Sequence, residues 1–157
     1  MKIKLLVIGK TDDKNLGQLI EKYQQRLNHY INFEIEIIPD IKNVKNLNQV
    51  QQKEKEGELI LSKLKNTDQL VLLDEKGKEF RSLDFASYLQ KKMNSGIKQL
   101  VLVVGGPYGF SESVYKKTVG KVSLSKMTFS HQMIRLFIVE QLYRGFTILK
   151  NEPYHHE

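Results

Sequence analysis

The chain has 157 residues, a length that suits one domain with a substantial core. It contains no cysteine, which excludes disulfides and thiolate metal sites, and its net charge is +7 from 25 basic and 18 acidic residues. That balance points to anionic partners, nucleic acid first; no window approaches a membrane span and the apolar stretch 5–8 is too short for a signal segment, so a cytoplasmic protein is expected.

Residues 1–9 read as a first strand around Ile3, Leu5, Leu6, Val7 and Ile8. After a polar loop, Leu16, Leu19, Ile20, Tyr23 and Leu27 recur at helical spacing and predict an amphipathic helix over 15–28. Phe33, Ile35 and Ile37 alternate with Glu34 and Glu36, the pattern of a strand with one wet face, ended by Pro39. Residues 41–49 form a polar loop. A charged helix over 50–64 has Leu59, Ile60 and Leu64 on its apolar side, with the run Lys53-Glu54-Lys55-Glu56 as a solvated face. Residues 69–73 are a buried-strand run that ends at Asp74 in a turn over 75–78. Ser82 is the expected N-cap of a helix through Met93, with Asp84 in its first turn and Gly96 beyond its end.

The most informative stretch is 99–110, QLVLVVGGPYGF. Every residue from Leu100 to Val104 is apolar, as in a strand buried on both faces. The run stops at Gly105-Gly106-Pro107, and a helix is expected from Ser111 to about Thr118. A short strand over 122–124, the loop LSKMTFSH over 124–131, a last helix over 132–149 and a polar tail follow. Strands alternating with helices give an α/β fold with a mostly parallel sheet flanked by helices, one domain over 1–157.

A buried parallel strand feeding a glycine turn and a helix start is where open α/β sheets bind ligands. Glycine lets a ligand approach the backbone, and free N–H groups at the helix start can meet it; a plain strand-to-helix turn is the competing reading. The turn is neither a Walker A motif nor G-x-G-x-x-G. Between Ser111 and Arg135, Lys116, Lys117, Lys121, Lys126 and Arg135 face the single acid Glu112.

The last helix is apolar nearly all round, which predicts that it packs on a partner subunit as well as on its own sheet. Arg135 lies among Ile138, Val139, Leu142 and Phe146 and needs a partner there, either a carboxylate or an anionic ligand such as phosphate. Glu140 and Arg144 are spaced to pair along the helix. Tyr154, His155 and His156 lie at a chain end that frays unless it closes over a site. No cluster at ligand spacing surrounds the histidines, so no metal is expected.

GGPYG after the buried strand, LSKMTFSHQMIR, EQLYR and the terminal PYHH, together with the start MKIKLLVIGK, resemble the RlmH family of small bacterial SPOUT-class methyltransferases over the whole chain. The resemblance implies an α/β fold with a C-terminal trefoil knot, which nothing in composition or periodicity indicates. It also implies a homodimer that transfers a methyl group from S-adenosylmethionine to N3 of a pseudouridine in 23S rRNA of the assembled ribosome. Three loops would build the cofactor pocket, through Leu73, through Gly105 and Gly106, and through Leu124, Ser125, Lys126, Met127, Thr128 and Phe129. Ser130 departs from the family pattern, which often has proline before the histidine.

On chemical grounds the acceptor side is expected to comprise His131, Arg135, Tyr143, Tyr154 and His155, partly across the dimer interface. Arg135 would hold phosphate or the base anion, and the tail rings would pack on the target base. Lys116, Lys117, Lys121, Lys126 and Arg144 are the candidate RNA contacts. Two other functions fit the residues before the resemblance is weighed. One is a non-catalytic RNA- or ribosome-binding factor; the other is a flavodoxin-like enzyme that binds a nucleotide or flavin at the glycine turn.

Overall fold

A computed structural model describes residues 1–156. Its elements alternate as β1 (Lys2–Ile8), α1 (Lys14–Leu27), β2 (Phe33–Ile38), α2 (Gln49–Ser62), β3 (Asp68–Glu79), α3 (Ser82–Asn94), β4 (Gln99–Val104), α4 (Glu112–Lys117), β5 (Gly120–Ser123) and α5 (Met133–Leu149). The five strands form one sheet in the order β2-β1-β4-β3-β5, and every neighbouring pair is parallel. Their C-terminal ends, and the loops that leave them, therefore gather along one edge.

The period of two in a strand sends alternate side chains to opposite faces. Leu5, Val7, Leu100 and Leu102 join Leu16 and Ile20 of α1, Phe85 and Leu89 of α3, and Ile138, Leu142 and Phe146 of α5 in one core. Leu6, Ile8, Val101 and Val103 join Ile60 of α2 and Val114 of α4 in the other. Both faces of β1 and β4 are covered, which is why their sequences are continuous apolar runs rather than alternations. Among the described residues no helix is long and apolar enough to cross a membrane.

Four local expectations are corrected. β3 does not end at Asp74. It resumes beside β5, and both Leu73 and Lys78 face Val122, so 74–77 bulge outward between two paired segments. Gly77 allows the return, because a Cβ there would lie 2.7 Å from the Val122 carbonyl carbon. In β2, Ile37 is exposed and Ile38 is buried, since this edge strand has cover at its end only from the α2 side. Ser82 is the first residue of α3 rather than its N-cap, and its hydroxyl donates to Gln141 instead. In α2 the solvated face excludes Glu56, which is buried, while Leu59, expected on the apolar side, is exposed.

Candidate functional site

The bulge in β3 and the loops that leave β4 and β5 enclose a cavity of about 600 Å³ at the C-terminal edge of the sheet. Leu73, Val104, Val122, Leu124 and Ile134 give it apolar walls, and Gly105 and Gly106 expose backbone at its base. Its size and mixed lining suit a ligand with a flat apolar ring and a polar tail. The β3 bulge brings Asp74, Glu75 and Lys76 to one rim. Asp74 is fixed there by the Tyr115 hydroxyl at 2.7 Å and the Lys76 amide at 2.8 Å. Burial, with Asp74 adding to it, pushes the Tyr115 phenol up to about 12, so it stays a donor. The opposite rim is the loop 124–131. Its turn is closed by the Met127 amide on Ser125 Oγ at 2.9 Å and tied to the bulge by Thr128 on Glu75 at 3.2 Å. Phe129 packs at a tilt on Phe137 of α5, with ring centres 5.0 Å apart and ring planes at 58°.

The expected cofactor loops thus converge in space. Leu73, Gly105, Gly106, Leu124, Ser125, Met127, Thr128 and Phe129 all line the cavity. Lys126 points away and lies 3.7 Å from Glu79. The lining also includes Asp74, Glu75, Tyr115 and Ile134, which sequence reasoning missed. Only Asp74, at the end of a buried strand, carried a signal that could have marked it. Main-chain atoms at the glycine turn and a cradle closed by the Phe110 ring, 3.0 Å from where a Gly105 Cβ would be, fit an S-adenosylmethionine-sized molecule.

Beneath the turn, α2 makes an unusually close approach. A Cβ on Gly57 would fall 2.2 Å from Ser111 Oγ, and one on Gly106 would fall 2.4 Å from Glu56 Oε2. The two glycines let helix and turn pack with a carboxylate between them.

Arg135 corrects an expectation. It is 2% exposed and pairs with no carboxylate among the described residues. Its guanidinium donates to the carbonyls of Ile8 at 2.7 Å and Gly9 at 2.9 Å and to Thr11 Oγ1 at 3.2 Å, while Nε donates to His131 O at 3.1 Å. Burial lowers its pKa, and the charges of Asp12 and Asp40 oppose that. Arg135 therefore clamps the end of β1 to the start of α5. It lies under the site rather than in it, so phosphate or base-anion binding by Arg135 is not supported.

His131, by contrast, is exposed at the cavity rim. The remaining acceptor candidates sit at the other end of α5. From Met133 to Arg144 the helix rises roughly 16 Å at 1.5 Å per residue. There the tail folds back on its own helices. The Tyr154 ring lies 4.7 Å from that of Tyr143, beneath the Arg144 guanidinium, and its hydroxyl donates to Glu140 at 2.9 Å and lies 3.4 Å from the Tyr23 hydroxyl. Burial, with Tyr23 and Glu140 adding to it, pushes the Tyr154 phenol far up. Arg144 pairs with Glu140 at 2.7 Å and meets His155 Nδ1 at 3.3 Å, and Tyr30 bonds Glu152. Within one chain, then, Tyr143, Tyr154 and His155 gather with Arg144 but do not line the cavity.

Lys116, Lys117 and Lys121 are exposed on α4 and β5, next to the cavity, and the Lys121 ammonium lies 5.5 Å from the Tyr115 ring centre.

The family model described as "Predicted SPOUT methyltransferase" matches residues 1–155. The chain is 73% identical to the "Ribosomal RNA large subunit methyltransferase H" of Flavobacterium psychrophilum over 157 residues, all of both chains. It is 72% identical to the protein of that name from Flavobacterium johnsoniae and 68% identical to that from Parabacteroides distasonis, again over the full length of each. Among solved structures, a probable methylase family protein from Haemophilus influenzae Rd KW20 superposes with a TM-score of 0.52 at 11% identity, covering 95% of this chain and 66% of that one. At that identity the likeness speaks for the fold.

Proposed function

The chain belongs to the SPOUT methyltransferase family, and from that premise we propose that it uses S-adenosylmethionine to methylate N3 of a pseudouridine in large-subunit (23S) rRNA. We further infer that it acts in the cytoplasm on the assembled ribosome, as a homodimer of single-domain chains with the family's C-terminal knot. The observation that carries this reading is the cavity between the β3 bulge and the ends of β4 and β5, with its apolar walls and exposed glycine backbone.

When bound, the cofactor supplies a methyl group already activated by a sulfonium. What is left to the protein is mainly positioning. Leu73, Leu124 and Val122 would hold the adenine, while the main chain of 105–106 and 124–129 reads its edge. Asp74 and Glu75 on the bulge are placed to accept hydroxyl donors of the ribose. The N3–H of the acceptor must lose its proton as the N–C bond forms. His131, exposed at the rim, is the side chain of this chain placed to take it or to order a water that does.

Tyr143, Arg144, Tyr154 and His155 would complete the acceptor side from the second subunit, because in their own chain they lie at the far end of α5. Arg144 and the exposed Lys116, Lys117, Lys121 and Lys126 would meet RNA phosphates. The chain is small, and much of its recognition would come from the shape of a large substrate.

The test is methyl transfer from labelled S-adenosylmethionine to ribosomes that lack the modification, with intact ribosomes and free large subunits side by side. Labelling of one pseudouridine in intact ribosomes is expected. Cofactor binding without labelling of either substrate points to another acceptor. Absence of cofactor binding removes the methyltransferase reading and leaves a ribosome-binding factor.

A further inference from the structure

Glu56 is 4% exposed, in a helix where Glu54, Lys55 and Glu58 are exposed and Lys53 is half-buried. Oε1 accepts from Gln52 Nε2 at 3.0 Å, and Oε2 is buried with no hydrogen-bond partner. No cation pairs with it among the described residues. A buried carboxylate with an open oxygen is costly unless a positive charge elsewhere offsets it. The carboxylate is pressed against Gly106: a Cβ there would lie 2.4 Å from Oε2 and 2.8 Å from Oε1. The other side of that glycine is the base of the cavity. One backbone thickness thus separates the unpaired acid from whatever the cavity holds. Burial pushes the Glu56 carboxyl up; the Gln52 bond opposes this, the nearby Asp40 charge reinforces it, and His131 opposes it. Asp40, which also faces the buried Arg135, adds negative charge on the Glu56 side of the turn, and His131 lies on the cavity rim.

We propose that Glu56 is a specificity-determining residue of the cofactor pocket, whose charge behind Gly106 favours the cationic methyl donor over its neutral demethylated product. This rests on the methyltransferase reading above. S-adenosylmethionine carries a sulfonium, an ammonium and a carboxylate, for a net charge of +1. S-adenosylhomocysteine has a thioether in place of the sulfonium and a net charge of zero. The two differ by one methyl group and one charge, and a fixed carboxylate acts on the charge. Loss of that attraction on methyl transfer would speed product exchange.

The experiment is calorimetric titration of both ligands into wild type, Glu56→Gln, Glu56→Ala and Glu56→Asp. The glutamine variant keeps shape and the contact with Gln52 while removing the charge. The alanine variant is a second neutral protein that also relieves the buried acid, should the amide be tolerated poorly. The aspartate variant keeps the charge. The expected result is that both neutral variants lose about five-fold or more in affinity for S-adenosylmethionine and less than two-fold for S-adenosylhomocysteine, while Glu56→Asp keeps the wild-type ratio within about two-fold. An equal loss for both ligands overturns the proposal and makes Glu56 a prop for the turn. No change for either overturns it too, and shows the acid to be neutral and silent. Failure of the wild type to bind either ligand overturns the methyltransferase reading itself, an outcome distinct from the other two.

Discussion

Two arginines on one helix, nine residues apart, hold opposite ends of this protein by different means. Arg135 is fully buried and spends its donors on main-chain carbonyls of β1 and on the turn at His131. Arg144 has a side chain 25% exposed and is met by a carboxylate, a tyrosine ring and a histidine. A guanidinium among carbonyls keeps its full charge, and its value lies in geometry: it fixes where the backbone ends. A guanidinium beside a carboxylate is largely neutralised, and its pair can be opened for another anion at modest cost. The first arrangement builds a pocket floor. The second leaves a polar cluster that a partner can use.

Breaking the buried end should cost most. Arg135→Met leaves the Ile8 and Gly9 carbonyls without donors, and a loss of about 3 kcal/mol is expected in urea denaturation. Arg135→Lys keeps the charge but not the fork, and should recover only part of that. Next comes the floor itself. Gly106→Ala places a methyl against Glu56 and should cost about 2 kcal/mol, with weaker cofactor binding. Combining it with Glu56→Ala should restore much of the stability, a coupling that a double-mutant cycle measures directly.

The exposed end should yield less. Tyr154→Phe removes the donor to Glu140 and is expected to cost about 1 kcal/mol of stability. If the tail serves the neighbouring subunit's site, methylation will fall by more than that loss explains, and unchanged single-turnover rates would remove Tyr154 from the acceptor side. The smallest effect should be at β2, where Lys4 and then Lys63 hold the Glu36 carboxyl below its ordinary value. A carboxyl lowered by folding contributes stability above its unfolded value near pH ~4.3, lost as pH falls through the folded one. Glu36→Gln should therefore lower stability at neutral pH by roughly 1 kcal/mol or less, leave the most acid region almost unchanged, and so flatten the acid limb of stability against pH.

What was readable in the sequence divides along similar lines. Elements buried on both faces, such as β1 and β4, announce themselves because every side chain must be apolar. The glycine turn after Val104 was legible as a candidate ligand site, with a plain strand-to-helix turn as the competing reading. Glu56 was not. In the run Lys53-Glu54-Lys55-Glu56 all four residues look alike, and only the packing of α2 on the turn buries one of them. The β3 bulge was hidden for a related reason. Asp74 to Gly77 is composed like a turn, and the return to pairing with β5 depends on a strand far along the chain. Arg135 was recognised as a charge in need of partners, but carbonyls carry no sequence signature, so carboxylate and phosphate were the partners considered. The convergence of His131 with the glycine turn, and the separation of Tyr154 from both within one chain, follow from the length of α5 and its docking.

The clamp made by Arg135 spans 127 residues of sequence at Ile8 and 126 at Gly9. A chain made from its N-terminus exposes β1 long before α5 exists, and loop closure on that scale delays the contact. The sheet can begin to pair early, yet the end of β1 has no lock and the cavity has no wall at Ile134 until the last helix arrives. Nascent chains and C-terminal truncations should thus carry most of the strands and none of the binding competence. A ligand of the cavity would therefore be held only after α5 has been made and has docked on β1.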